Sequence, residues 1–226
     1  MESAAKLLRS RRSWVGASCF GVWLFVQCLP AASSAQVEAA AKILILSPTE
    51  SDERLESTLE AIEFWNRTFR ELDLEPVLVD FEVIVASPVT HALENYAFKI
   101  SRRAGRPSAG PYEPAAPVEL SALDADVVVL LSKQNLMQFA WPLPQTAHYF
   151  IAINASSEWS PIDPRKMRNV IAHELGHAVG LTHVDGPSAL MCQPCRIPDE
   201  REGDPAFLPL TEHDRSRLVE LYEGAR

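Results

Sequence analysis

Three of the chain's six histidines fall within the eleven residues HELGHAVGLTH, at His173, His177 and His183. Residues four apart on an α-helix share a face, so His173 and His177 can aim their imidazoles at one point. Neutral imidazole nitrogens at about 2.0–2.1 Å are ordinary zinc ligands, and a catalytic zinc takes three protein ligands and keeps one position for water. The third ligand must come from beyond the helix. Gly180 lets the chain leave through a positive-φ turn at little steric cost, and His183 lies just past that turn. Glu174 follows the first histidine directly, so it points away from ligation and can face the water instead. Zinc lowers the pKa of such a water to about 7, and a carboxylate in reach can take the proton and later return it to a leaving amine. Met191, in PSALMC, lies eight residues beyond His183. Its soft side chain suits an apolar floor beneath the imidazoles.

These residues need a scaffold. MRNVIAHELGHAVGL (167–181) places Ile171, Leu175 and Val179 on one helical face and carries the first two histidines. KILILS (42–47) has the apolar run of a buried strand, and Leu55, Leu59, Ile62, Phe69 and Leu72 mark an amphipathic helix over 52–72, with Ser51 a mediocre cap. PVLVDFEVIVA (76–86), ADVVVLLS (125–132) and HYFIAIN (148–154) are expected strands. The second of these is apolar throughout and is therefore placed centrally. LMQFAW (136–141) is an edge-strand candidate ended by Pro142, and 89–104 fits either helix or loop. The run 105–119 carries four prolines and two glycines and is expected to be an extended surface loop, with Arg102, Arg103 and Arg106 as solvated charge beside it. A last helix opens at Thr211, with Asp214 at the capping-box position in place of the usual Glu, and runs to about Glu223. The expected product is one mixed α and β domain.

The first 35 residues differ from the rest. Lys6, Arg9, Arg11 and Arg12 precede an apolar run from Trp14 to Leu29; Pro30 breaks it, and small residues follow to Ala35. This is the pattern of a secretory signal peptide, 1–35, ahead of a mature domain, 36–226. An uncleaved membrane anchor is the alternative, and SRRSWV weakly resembles a twin-arginine signal. Loss of four bases and Glu2 moves the formal charge from −9 to −12 (−9 minus +3). An acidic exported domain is a poor partner for nucleic acid, which needs basic surface. Two cysteines then remain, Cys192 and Cys195; an oxidising compartment favours a disulfide, while a reducible pair and a metal site are the alternatives.

HELGHAVGLTH followed by Met191 resembles the metzincin signature with its Met-turn, and the nearest likeness is to the matrixins, the matrix-metalloprotease-like family. VDGPSALM and LTEHDRSRLVELY are similar to that family's Met-turn and last helix. The resemblance implies an α+β, zincin/metzincin-like catalytic domain: a twisted, mostly parallel mixed sheet with an antiparallel edge strand, an active-site helix and a C-terminal helix. It implies His173, His177 and His183 as ligands of one catalytic zinc, Glu174 as the base and Met191 as the Met-turn residue. An extended peptide or protein substrate would pair along 136–141 by β-augmentation, and 192–210 would wall the pocket for the side chain after the scissile bond.

Some family features are not reproduced. The stretch 89–119 lacks the structural zinc and calcium loops, so a second zinc or a structural calcium is not supported. His91, His148 and His213 are expected to be surface or hydrogen-bonded histidines. No tyrosine lies close behind Met191 to serve as a further ligand, the next being Tyr222, and a disulfide between Cys192 and Cys195 is favoured over a second metal there. With no cysteine-bearing inhibitory segment between Ala35 and the first strand, control would fall to export or to a partner such as a proteinaceous inhibitor. The expected function is that of an exported zinc endopeptidase. The alternatives are a catalytically silent binding protein of the same fold and a zinc hydrolase acting on a non-peptide amide.

Overall fold

The computed structural model describes residues 41–103, 114–143, 148–155, 163–193, 195 and 205–223. The proposed leader 1–35 and most of the proline-rich run 105–119 lie outside them.

Five strands, β1 (Lys42–Ser47), β2 (Asp80–Val85), β3 (Val127–Leu131), β4 (Phe139–Pro142) and β5 (Tyr149–Ile153), form one sheet in the order β2-β1-β3-β5-β4. All neighbours are parallel except β4, which pairs antiparallel to β5, from Phe139 opposite Ala152 to Pro142 opposite Tyr149. A parallel sheet is covered on both faces, which explains why β3 is apolar at every position and buried throughout. One face carries Ile43, Ile45, Val127, Val129, Ile151 and Ile153 into a core with helices α1 (Glu53–Glu71), α4 (Pro164–Ala178) and α5 (Glu212–Glu223). The other face carries Leu44, Leu46, Val128, Leu130 and Phe150 against α2 (Thr90–Ser101) and the short α3 (Val118–Ser121). The domain is thus an α+β fold of three layers, and β3 is its middle strand.

The ends of the elements differ from the sequence expectation in instructive ways. Asp52, not Ser51, caps α1, because its carboxylate accepts from the Arg54 backbone amide. Of 76–86, only the second half pairs with β1; Leu78 is instead held by Asn66, whose side chain accepts from Leu78 N and donates to Leu78 O. The ambiguous 89–104 stretch is helical over α2. The proline-rich run does not stay extended to 119, since Pro117 opens α3 at Val118. β4 starts at Phe139 and takes Pro142 as its last residue, an edge position where a missing N–H costs no ladder bond. The histidine helix begins at Pro164, capped by Asp163, three residues before the apolar pattern starts, and it ends at Ala178 rather than 181. The last helix matches its expected cap: Asp214 N donates to Thr211 Oγ1 (3.1 Å) and Thr211 N donates to Asp214 Oδ2 (2.9 Å), a reciprocal capping box.

Two contacts place α1 relative to the site. Trp65, fully buried, donates its indole N–H to Ala172 O at 2.9 Å, one residue before the first histidine of interest. Arg54, also buried, reaches the carboxyl ends of β3 and β5, donating to Ser132 O and Asn154 O at 2.7 Å each.

Candidate metal centre

Helix α4 carries His173 and His177 one turn apart. Its end explains how a third histidine joins them. Gly180 takes φ +91°. Gly180 N donates to His177 O (3.0 Å) and Leu181 N donates to Gly176 O (2.9 Å), the paired bonds of a Schellman motif. A side chain at 180 would be strained by that φ, and its Cβ would lie 2.7 Å from Leu221 Cδ1. The turn brings His183 back under the helix end, with its Nε2 at 3.2 Å from that of His173 and 3.1 Å from that of His177. The three ligand atoms all lie within 4.8 Å of one another, and among the described residues no other group of three histidines, cysteines or carboxylates converges in this way.

The protonation pattern suits a cation. His173 Nδ1 donates to Leu190 O (2.7 Å) and His177 Nδ1 donates to Leu181 O (2.9 Å), so both rings turn a lone pair inward at Nε2. Burial, the largest influence, pushes the His173 imidazole down to about 4; the neighbouring His177 and His183 add to that, and the Leu190 carbonyl opposes it. Burial likewise lowers His177 and His183. Tetrahedral zinc with bonds of 2.0–2.1 Å would set its nitrogens about 3.3–3.4 Å apart. The observed 3.1 and 3.2 Å separations fit that demand.

Glu174 is 7% exposed, and its carboxylate accepts from the backbone amide of Ala140 on edge strand β4. Burial pushes its pKa up to about 7, while the Ala140 amide pulls it back. Met191 is fully buried beneath α4. Gly176 permits this, because a Cβ there would collide with Met191 Sδ and lie 3.0 Å from Trp65 Cζ2. A cavity of about 120 Å³ opens beside His173 and Glu174, lined also by Asn169, Leu190, Cys192 and Leu208. Cys192 and Cys195 are joined by a disulfide at its rim.

The other histidines stand apart from this cluster. His148 Nε2 sits 3.4 Å from Asp126, and His91 pairs with Asn95 at 3.3 Å.

Sequence reasoning missed three contributors. Ala140 and Leu190 act through their backbones, which leaves no trace in residue type. Gln193, inside the C-x-x-C loop, hydrogen-bonds the His183 ring. A bridge between Val184 and Cys192, with Val184 N donating to Met191 O at 2.8 Å, brings that loop alongside His183. Partners that orient a ligating histidine typically contribute 10–100-fold to metal affinity. Gln193→Ala should therefore weaken zinc binding by about that factor in a chelator competition, with an unchanged melting temperature. Equal affinity in the variant would mean that His183 needs no such partner.

Sheet order, helix placement and the three-histidine cluster together define a zincin/metzincin-like α+β domain whose histidine group fits one catalytic zinc. Residues 126–223 match the matrixin family model. No curated protein sequence matches the chain. Among solved structures it is similar to metalloproteinase-II from Bacteroides fragilis, with 12% identity and a TM-score of 0.44, covering 84% of this chain and 55% of that one. This chain thus spans about half the length of that structure. It is also similar to archaemetzincin from Methanopyrus kandleri (14% identity, TM-score 0.40, covering 85% of this chain and 98% of that one). A third similarity is to a zinc-dependent peptidase from Methanocorpusculum labreanum (13%, 0.39, covering 78% and 99%).

Proposed function

We propose that the protein is an exported zinc endopeptidase. The observation that carries this reading is the convergence of three Nε2 atoms within 4.8 Å beside a buried carboxylate. Zinc held by His173, His177 and His183 would supply a Lewis acid and bring the pKa of water to about 7. The protein groups then have separate tasks. Glu174, whose pKa burial raises to about 7, takes a proton from the attacking water in its ionised form and returns it to the departing amine. The Ala140 amide holds that carboxylate in place. The outer edge of β4 has no strand partner among the described residues, so an extended peptide can add there as a further strand. The side chain after the scissile bond enters the cavity beside His173. Met191 and Trp65 close the floor from below.

Support for export comes from the 1–35 pattern, and the exported protein should begin at Gln36 by mass. Among the described residues no helix is long and apolar enough to cross a membrane. The test is zinc content measured with cleavage-site mapping on an unstructured protein. The purified protein should carry about one zinc per chain. Chelation should abolish cleavage, and added zinc should restore it. Tight peptide binding with no cut products in zinc-replete buffer would favour the silent binding protein instead. Turnover confined to non-peptide amides would favour the third reading.

A further inference from the structure

Asn169 lies on α4 one turn before His173 and is 1% exposed. A polar side chain buried that deeply needs partners, and it has three. Its Oδ1 accepts from Leu208 N at 2.7 Å, and its Nδ2 donates to Ala206 O at 3.0 Å and to Arg165 O at 2.9 Å. Two of these bonds run to the segment 205–210, which arrives from 37 and 39 residues away in sequence and has no helix or strand of its own. The same segment is tied on its other side, where Leu190 N donates to Pro209 O at 2.9 Å. Asn169 and Leu208 both line the 120 Å³ cavity beside His173 and Glu174, with the Cys192–Cys195 disulfide also on its wall.

We propose that Asn169 is a positioning residue that sets substrate specificity: by pinning Ala206 and Leu208 it fixes the depth of this cavity and keeps aromatic side chains out. The inference rests on the peptidase reading above. Size supports it. A cavity of about 150 Å³ accommodates a benzene ring, whereas this one measures about 120 Å³. A branched aliphatic side chain fits with the wall in place; a phenylalanine or tryptophan ring requires the wall to retreat. Retreat means breaking the bonds that Leu208 N and Ala206 O make with the Asn169 side chain. Removing Asn169 releases the wall without touching the three histidines or Glu174.

The experiment uses a peptide series that differs only in the residue after the scissile bond: valine, leucine, phenylalanine or tryptophan. Rates are measured on the wild type, Asn169→Ala, Asn169→Asp and Leu208→Ala. Dissociation constants of the same peptides are measured with each change placed on a Glu174→Gln background. In the wild type, leucine should exceed phenylalanine in kcat/KM by at least about tenfold. Asn169→Ala should erase that preference at constant zinc content, with the change appearing in peptide affinity as well. Leu208→Ala opens the cavity from the opposite wall and should shift the profile in the same direction, which keeps the test valid if Asn169→Ala folds poorly. Asn169→Asp keeps the acceptor for Leu208 N but loses the donor to Ala206 O, so its preference should fall between those of the wild type and Asn169→Ala. If Asn169→Ala slows all four peptides by one common factor, Asn169 only supports the fold and the proposal is overturned. If the wild type cuts no peptide while zinc-loaded, the peptidase reading has failed and the specificity claim falls with it.

Discussion

Glu174→Gln should lower kcat/KM for peptide cleavage by about 10²–10⁴-fold, the usual contribution of a positioned general base. The substitution is nearly isosteric and sits outside the three-nitrogen cluster, so zinc content should stay at the wild-type level. The Ala140 amide that now meets the carboxylate can meet the glutamine carbonyl oxygen equally well. The side chain is 93% buried, so replacing a carboxyl by an amide of the same shape leaves packing intact. The effect should therefore appear in kcat and leave peptide binding close to unchanged. Zinc analysis, a thermal melt and single-turnover kinetics on the same preparation check all three expectations. A variant that keeps its zinc and cleaves as fast as wild type would remove Glu174 from the chemistry.

The second large effect is on stability and concerns Arg54. Its guanidinium donates twice to Asp52, from Nε to Oδ1 at 2.9 Å and from Nη2 to Oδ2 at 2.6 Å, and Nη1 reaches the carbonyls of Ser132 and Asn154. Both side chains are less than a tenth exposed, at 5% and 8%. A buried pair of this kind contributes little compared with a well-packed apolar substitute, but breaking one half of it leaves an uncompensated charge. Arg54→Met should cost about 3–5 kcal/mol. With a urea m-value on the order of 2 kcal/mol/M, the midpoint would fall by about 1.5–2.5 M. Pairing it with Asp52→Asn should recover part of the loss, because the stranded carboxylate is then gone. Additive losses in that cycle would show that the two side chains do not act as a pair. The consequence for the site is indirect: Arg54 locks the start of α1, and Trp65 on the same helix holds Ala172 next to His173.

How much of this was legible in the sequence follows from which forces act locally. The convergence of the three histidines was legible because helical geometry and one glycine determine where His173, His177 and His183 go, with little help from distant residues. The central place of β3 was legible because burial on both faces leaves a wholly apolar strand. Boundaries governed by side-chain caps were harder. Asp163 and Pro164 start α4 before any apolar periodicity appears, and Asp52 outcompetes Ser51 as a cap by engaging Arg54 as well. The pattern of 76–86 overstated β2 because it cannot reveal that Asn66 captures Leu78. Contributions made by main-chain groups, such as Ala140 toward Glu174 and Leu190 toward His173, depend on tertiary approach and carry no signature in residue identity. Asn169 did carry one: an amide on the inner face of an apolar helix, one turn ahead of a ligand candidate, marks a buried polar group in need of distant partners.

The acceptors that orient the histidines belong to Leu181, Leu190 and Gln193, so the cluster and its supports span only 21 residues, from 173 to 193. Little chain entropy is spent in closing loops that short. Zinc affinity should therefore respond more to changes within 173–193 than to changes in the edge strand β2, and Trp65 is the route by which α1 reaches the same unit.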